Sequence, residues 1–317
     1  MAREYVKEGS KVLKINSSHG GGGKAMNRLI KDVFQKHFSN EILNLMEDSA
    51  VFGVPSCKLA FTTDSFVVNP LFFPGGDIGK MAVCGTVNDL LMRGATPKYL
   101  SAGFILEDGL EIDTLERIAQ SMQNAAAEAN VSIVAGDTKV IEGSGGVYIN
   151  TSGIGILETP LEISSHNALP GDAVIVSGNL GNHHACILSR RMGIENSIKS
   201  DCAPLREMVL NMLNGGINIH AMRDITRGGL ATVLYEIAEA SAAGIEIPGG
   251  LSFADTEVQG FCEILGLDPL TMGNEGKLVA VVPAEEAEKA VKIMKASKYG
   301  GDAQIIGKVC VSHRPVV

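Results

Sequence analysis

Between residues 59 and 156, segments that read as strands alternate with segments that read as helices, and between 173 and 309 the alternation begins again. A chain of 317 residues that does this twice exceeds what one growing core accommodates. Two α/β (α+β) domains are therefore expected. The break falls at Glu158-Thr159-Pro160, giving residues 1–157 and 158–317.

Within the first half, Met26, Leu29, Ile30, Val33 and Phe34 have helical spacing after a glycine loop. Residues 59–68 read as a strand rich in β-branched and aromatic side chains. Pro74-Gly75-Gly76 then turns the chain, and Asp77 takes the N-cap position of an apolar helix running toward Gly94. Strands are expected at 100–106, 131–135 and 147–156, with a helix over 112–130. The second half predicts strands at 173–176, 277–282 and 303–309 and helices at 184–191, 204–213, 229–242 and 285–296.

Lysine and arginine number 27 against 36 aspartates and glutamates, a formal charge of −9, and no basic stripe interleaved with aromatics appears. Such a surface repels a phosphate backbone, so nucleic acid is excluded as an expected partner. The charged start, Met1 to Glu8, has no apolar core of a signal peptide, and no apolar run reaches membrane-spanning length. The expectation is a cytoplasmic protein with no membrane partner. Cysteines 57, 84, 186, 202, 262 and 310 are far apart and lack zinc-ligand spacing, which predicts buried reduced thiols. His183-His184 reads as a surface turn rather than a metal site.

His19-Gly20-Gly21-Gly22-Gly23-Lys24 would let backbone N–H groups converge on phosphate oxygens at a helix start. The specific motifs fail, because a Walker A loop needs glycine at Ser18 and Ser/Thr at Ala25, and a Rossmann fingerprint needs glycine at Ala25. A flexible linker is the competing reading.

Asp48, Asp64, Asp89 and Asp224 each interrupt an otherwise apolar segment. Carboxylates gathered without cations repel, and Mg²⁺ bridging them to a polyphosphate would resolve this. Singly they have plainer uses: turn capping for Asp48 and Asp64, pairing of Asp89 with Arg93, and of Asp224 with Arg223 or Arg227. Together with the glycine loop they favour a metal–nucleotide site. Gly136-Asp137-Thr138-Lys139 after one strand and Gly273-Asn274-Glu275-Gly276 before another read as polar loops, open to functional use or to ordinary turn chemistry.

In this order, the glycine loop at 19–23, the stretch Phe61-Thr62-Thr63-Asp64-Ser65-Phe66 through Pro74-Gly75-Gly76-Asp77-Ile78-Gly79-Lys80, Gly85-Thr86-Val87-Asn88-Asp89, Gly136-Asp137-Thr138-Lys139-Val140, Asp224-Ile225-Thr226-Arg227-Gly228-Gly229 and Asn274-Glu275-Gly276-Lys277 resemble the HypE family of hydrogenase maturation proteins. The aspartates alone indicate the wider superfamily of AIR synthase, selenophosphate synthetase and thiamine-monophosphate kinase. The resemblance implies a homodimer whose N-terminal sheets pair into a barrel, with ATP in a cleft beside each N-terminal domain. It implies Asp48, Asp64, Asp89 and Asp224 as Mg²⁺–phosphate carboxylates. His19, Gly20, Gly21, Gly22, Gly23 and Lys24 would close over the phosphates, and Asn88, Gly136, Asp137, Thr138 and Thr226 would line the nucleotide site.

The implied reaction is ATP-dependent dehydration of a cysteine thiocarbamate to a thiocyanate. Glu275 would take a proton and Lys139 would steady charge on the carboxamide oxygen. The carbamoyl group would come from the carbamoyltransferase HypF, and the cyanide would pass to a HypC–HypD complex. The family's tail closes with Pro-Arg-Ile-Cys, whereas these residues stop at His313-Arg314-Pro315-Val316-Val317. Cys310, in an expected strand, is a poor replacement for the acceptor thiol. The expectation is either a truncated form or a tailless paralogue. The latter would be an ATP-dependent phosphotransferase on a small molecule or a non-catalytic nucleotide-binding partner. Selenophosphate synthesis is disfavoured, because residues 17–24 hold no cysteine.

Overall fold

The computed structural model describes residues 14–16, 19, 28–41, 44, 58–249 and 252–311. After a short helical stretch ending at Lys36–Phe38, the first half builds a four-stranded sheet from β1 (Lys58–Phe66), β4 (Thr96–Glu107), β5 (Ser132–Ile141) and β6 (Val147–Leu157), in the order β1-β6-β4-β5. β6 runs antiparallel to both β1 and β4, while β4 and β5 are parallel. That parallel step needs a crossover, supplied by helix α2 (Ile112–Ala129).

Helix α1 (Ile78–Met92) starts where Asp77 accepts the N–H groups of Gly79 and Lys80 at 2.8 and 3.1 Å. It follows the small hairpin of β2 (Phe72–Phe73) and β3 (Gly76–Asp77), with Pro74-Gly75 at its tip. Along α1 only Lys80 and Asp89 keep partial exposure. A helix apolar on all faces must be packed on all faces, and α1 lies between the sheet, α2 and the second half. In α2, Leu115, Ile118, Ala119, Met122, Ala125, Ala126 and Ala129 form the apolar stripe facing that core.

The second half is a five-stranded sheet ordered β8-β10-β7-β11-β9, antiparallel throughout. Its strands are β7 (Ala173–Val176), β8 (Ala221–Asp224), β9 (Gly244–Glu246), β10 (Leu278–Val282) and β11 (Gln304–Cys310). β7 and β10 are buried at every residue, so alternate side chains serve different layers. Val174, Val176, Val279 and Val281 join one core with α5 (Gly229–Ser241). Ala173, Ile175, Leu278, Ala280 and Val282 join a core continuous with the first half. The remaining helices are α3 (Asn182–Met192), α4 (Arg206–Asn214), α6 (Thr256–Leu265) and α7 (Ala287–Ala296).

The expected strand–helix–strand runs are present, with three differences. The stretch 136–140 is not a loop: it continues β5, because an edge strand paired on one side tolerates polar residues on its outward face. His183 and His184 stand in the first turn of α3 rather than in a surface turn. The pattern reading named none of β8, β9 and α6. Cys84, Cys186, Cys202 and Cys262 are free and buried, as expected, and Cys310 is partly exposed in β11.

Candidate active site

Asp64 stands on β1, two residues beyond Thr62, whose hydroxyl donates to Asp89 Oδ2 at 2.9 Å. Asn150 Nδ2 fixes the strand at this point by donating to the Asp64 carbonyl at 2.9 Å. The approach of α1 to β1 depends on Gly85, where a Cβ would lie 2.8 Å from the Phe66 ring. One face of α1 is thereby held against the strand that carries Asp64. Burial raises the Asp89 carboxyl above its ordinary value; the Thr62 hydrogen bond opposes this, the Asp64 charge adds to it, and Arg223 works against it.

Asp224 ends β8, where it pairs in register with Leu278 at the start of β10. Its carboxyl is pushed up to about 7, first by burial and then by Asp89, with Asp64 adding further repulsion against the field of Arg223. Arg223 itself is bound to Glu236 at 3.1 Å. The expected pairs of Asp89 with Arg93 and of Asp224 with Arg223 or Arg227 are not formed; among the described residues, Asp64, Asp89 and Asp224 have no ion-pair partner.

The loop before β10 adds Glu275. Asn274 next to it is 1% exposed and fixes the loop by donating to the carbonyls of Ile225 and Met272 and accepting from Gly181 N. Burial, then the charges of Asp201, Asp224, Asp64 and Asp89, hold the Glu275 carboxyl well above the usual carboxylate range. Four carboxylates from β1, α1, β8 and this loop thus act on one another across both halves of the chain.

Not every expected residue joins this group. Asn88 is 2% exposed, and its amide bonds Ala203 O at 3.1 Å and Leu205 N at 2.9 Å. It ties α1 to the second half instead of presenting its side chain to a nucleotide. Thr138 faces the core and is 5% exposed, so the hydroxyl expected to line the pocket is turned inward. Asp137 and Lys139 point the other way, paired at 3.0 Å on the outer face of the sheet and each 64% exposed. They line an open cavity of about 310 Å³ with Ser65, Phe66, Tyr148 and Asn150. Lys139 therefore sits with Asp137 rather than beside Glu275.

His19 is described, with Nδ1 3.1 Å from Asn16 N, and Thr226 accepts from Gly229 N through its carbonyl. Gly136 is exposed in β5, where a Cβ would lie 2.7 Å from the Ala102 carbonyl. Gly20, Gly21, Gly22, Gly23, Lys24 and Asp48 lie outside the described residues. Sequence reasoning missed Asp201, which accepts the Glu275 N–H at 2.9 Å. No motif marks it, and the only signal is a polar Ser-Asp pair before an apolar run.

Among the described residues, no group of three His, Cys, Asp or Glu side chains closes to metal-binding distance. The donor set nevertheless suits Mg²⁺, which is commonly held by one or two carboxylates with phosphate oxygens and water completing the shell. Asp64, Asp89 and Asp224 are mutually repelling and lack a paired cation, the electrostatic condition that a divalent ion relieves. Among the described residues, no helix is long and apolar enough to cross a membrane.

This fold and its carboxylate cluster place the chain among two-domain AIR synthase-like proteins. The family "AIR synthase related protein" matches through its N-terminal domain at residues 46–157 and its C-terminal domain at 170–317. The chain is 48% identical over 301 residues to carbamoyl dehydratase HypE of Rhizobium leguminosarum bv. viciae, covering 93% of this chain and 86% of that protein. A crystal structure of hydrogenase maturation protein HypE in complex with ATP superposes with a TM-score of 0.91 at 45% identity, covering 93% of this chain and 89% of that one. A HypE–HypF complex structure matches with a TM-score of 0.79 at 48% identity, over 91% and 94% of the two chains. The chain belongs to the HypE family of hydrogenase maturation proteins.

Proposed function

We propose that this chain is an ATP-dependent carbamoyl dehydratase that turns the thiocarbamate of a cysteine into a thiocyanate, the source of cyanide for a hydrogenase iron. The observation that carries the reading is the cluster of Asp64, Asp89 and Asp224, which repel one another beside the half-buried Glu275 and have no ion-pair partner among the described residues. ATP supplies the phosphoryl group that makes the amide oxygen a competent leaving group.

Asp64, Asp89 and Asp224, with Asp48, would hold Mg²⁺ against the phosphates, and residues 19–24 would contribute backbone N–H groups to them. Gly136 and Asp137, with the backbone at Thr138 and Thr226, border the nucleotide. Glu275, whose carboxylate has its proton affinity raised by desolvation and by the charges of Asp201, Asp224, Asp64 and Asp89, accepts one N–H proton of the carboxamide. Lys139, on the outer face, steadies the amide oxygen in the assembled dimer.

That dimer follows from the same sheet. Leu59, Phe61 and Val67 of the β1 segment, Ile105 of β4 and Ile141 of β5 are exposed on the outer face, Phe61 at 71%. Exposed apolar side chains on one sheet face mark an interaction surface, and a second copy pairing its sheet there would form the barrel. HypF is the carbamoyl donor and a HypC–HypD complex the cyanide acceptor, in the cytoplasm. The functional division falls at 1–157 and 158–317.

The test supplies a peptide ending in Pro-Arg-Ile-Cys, S-carbamoylated on its cysteine, together with Mg-ATP. The peptide should lose one water with release of one phosphate, and Glu275→Gln should slow this by at least about a hundredfold. ATP turnover that leaves the peptide's mass unchanged would rule out the dehydratase reading.

A further inference from the structure

Asp201 lies just ahead of α4 and is divided in its bonding. Its Oδ1 accepts the Glu275 N–H at 2.9 Å, while Oδ2 is sealed from solvent and has no hydrogen-bond partner among the described residues. The two loops are locked together around it. A Cβ at Gly276 would lie 2.1 Å from the Asp201 carbonyl, and Ala203 N reaches the Glu275 carbonyl at 3.4 Å. An idle buried acceptor costs folding free energy unless another state of the protein uses it.

The group beside Asp201 that gains a donor during turnover is Glu275. An ionised Glu275 has no proton to give; once it takes one from the carboxamide, its O–H can donate. Asp201 is also the largest charge acting on Glu275, ahead of Asp224, Asp64 and Asp89, while Lys277 and Lys80 are the cations whose fields reach Asp201. Lys80 Nζ is held at the Gly75 carbonyl, 3.0 Å away. Burial lifts the Asp201 carboxyl to about 6, against those two lysines and the hydrogen bond from Glu275 N.

We propose that Asp201 is a positioning residue for Glu275, the acceptor that holds the proton Glu275 removes from the amide, so that the two carboxyls share one proton. This rests on the dehydratase reading above. In the step, an N–H bond breaks and its electron pair becomes the C–N π bond, while the C=O π pair forms the new O–P bond to the γ-phosphorus of ATP as ADP leaves; the proton goes to the Glu275 carboxylate. The new O–H donates to Asp201 Oδ2, and the pair falls from two negative charges to one. Two like charges held side by side raise proton affinity, which lets a carboxylate act on a weakly acidic amide.

Asp201→Asn separates this role from simple anchoring. Its carbonyl oxygen can still accept the Glu275 N–H, but the other position becomes a donor that favours ionised Glu275. With the S-carbamoyl peptide and Mg-ATP, kcat should fall roughly tenfold or more, while KM for ATP stays unchanged. The acid limb of the kcat–pH profile should move about one unit lower, since the repulsion that raised the Glu275 proton affinity is gone.

A profile superimposable on the wild type would reduce Asp201 to an anchor and overturn the proposal. Should Asp201→Asn not fold, infrared spectra of the intact chain turning over the S-carbamoyl peptide with Mg-ATP take its place: a hydrogen-bonded carboxylic-acid band that is absent before substrate is added and is removed by Glu275→Gln is expected, and its failure to appear overturns the proposal. Glu275→Gln with wild-type turnover would instead sink the assignment of Glu275 in the dehydratase reading.

Discussion

Asp137 and Asp224 are the same residue type at the ends of two different lives. On the outer face of β5, Asp137 is exposed and paired with Lys139, which holds its carboxyl below the ordinary value. At the end of β8, Asp224 meets burial and the charges of Asp89 and Asp64, and its carboxyl rises to about 7. The chemistry open to an aspartate is therefore set by what surrounds it. A solvated pair on an edge strand contributes little to stability, whereas a desolvated cluster has proton and cation affinity built in.

Asp224→Asn should break this contrast most strongly. A carboxyl whose folded value lies above its unfolded 3.8 gives stability that is present at low pH and lost as pH rises toward about 7. Without Mg²⁺, the wild-type melting temperature should therefore fall across that window, and the variant should flatten the slope. The same substitution should weaken Mg-ATP binding by at least about tenfold, a cost of about 1.4 kcal/mol or more, read by calorimetry. A variant with the wild-type slope and unchanged affinity would place the cluster outside the nucleotide site.

The second prediction sharpens the contrast between the two faces of the first sheet. The inner face is sealed by α1 and α2, and Ile118→Ala there should cost about 2–5 kcal/mol in denaturant unfolding. Phe61→Asp on the outer face should convert dimer to monomer in analytical ultracentrifugation. The isolated fold should change by only about 0.5 kcal/mol, as surface substitutions do.

The smallest effect is expected at the exposed pair. Asp137→Asn should alter unfolding free energy by less than about 0.5 kcal/mol. A larger loss would mean that the outer face is desolvated in solution and that the pair is shielded by the second copy.

Much of the fold was legible in local pattern. The β-branched and aromatic run at 59–68, the Asp77 N-cap and the helix expected over 112–130 depend on neighbours in sequence, and the structure has them as a strand ending at Phe66, a capped helix start and a helix over Ile112–Ala129. Where reading failed, a long-range pairing had outweighed local chemistry. Gly136 to Lys139 look like a turn, yet pairing with β4 keeps them extended. Asn88 looks like a site residue within a site motif, yet its amide is taken by a segment more than a hundred positions away. Asp201 carries no local mark, because its significance is a hydrogen bond to a loop 74 residues later.

By itself, the sequence determined most of the strands and helices, where α1 begins, and which acidic residues sit in apolar segments. Those properties follow from backbone preference and from the period of apolar side chains. Only the tertiary structure decided which carboxylates face one another, which are neutralised by a lysine and which keep an oxygen without a donor. Coulomb energy and desolvation depend on distances through space, and those distances exist only once both sheets have packed around α1.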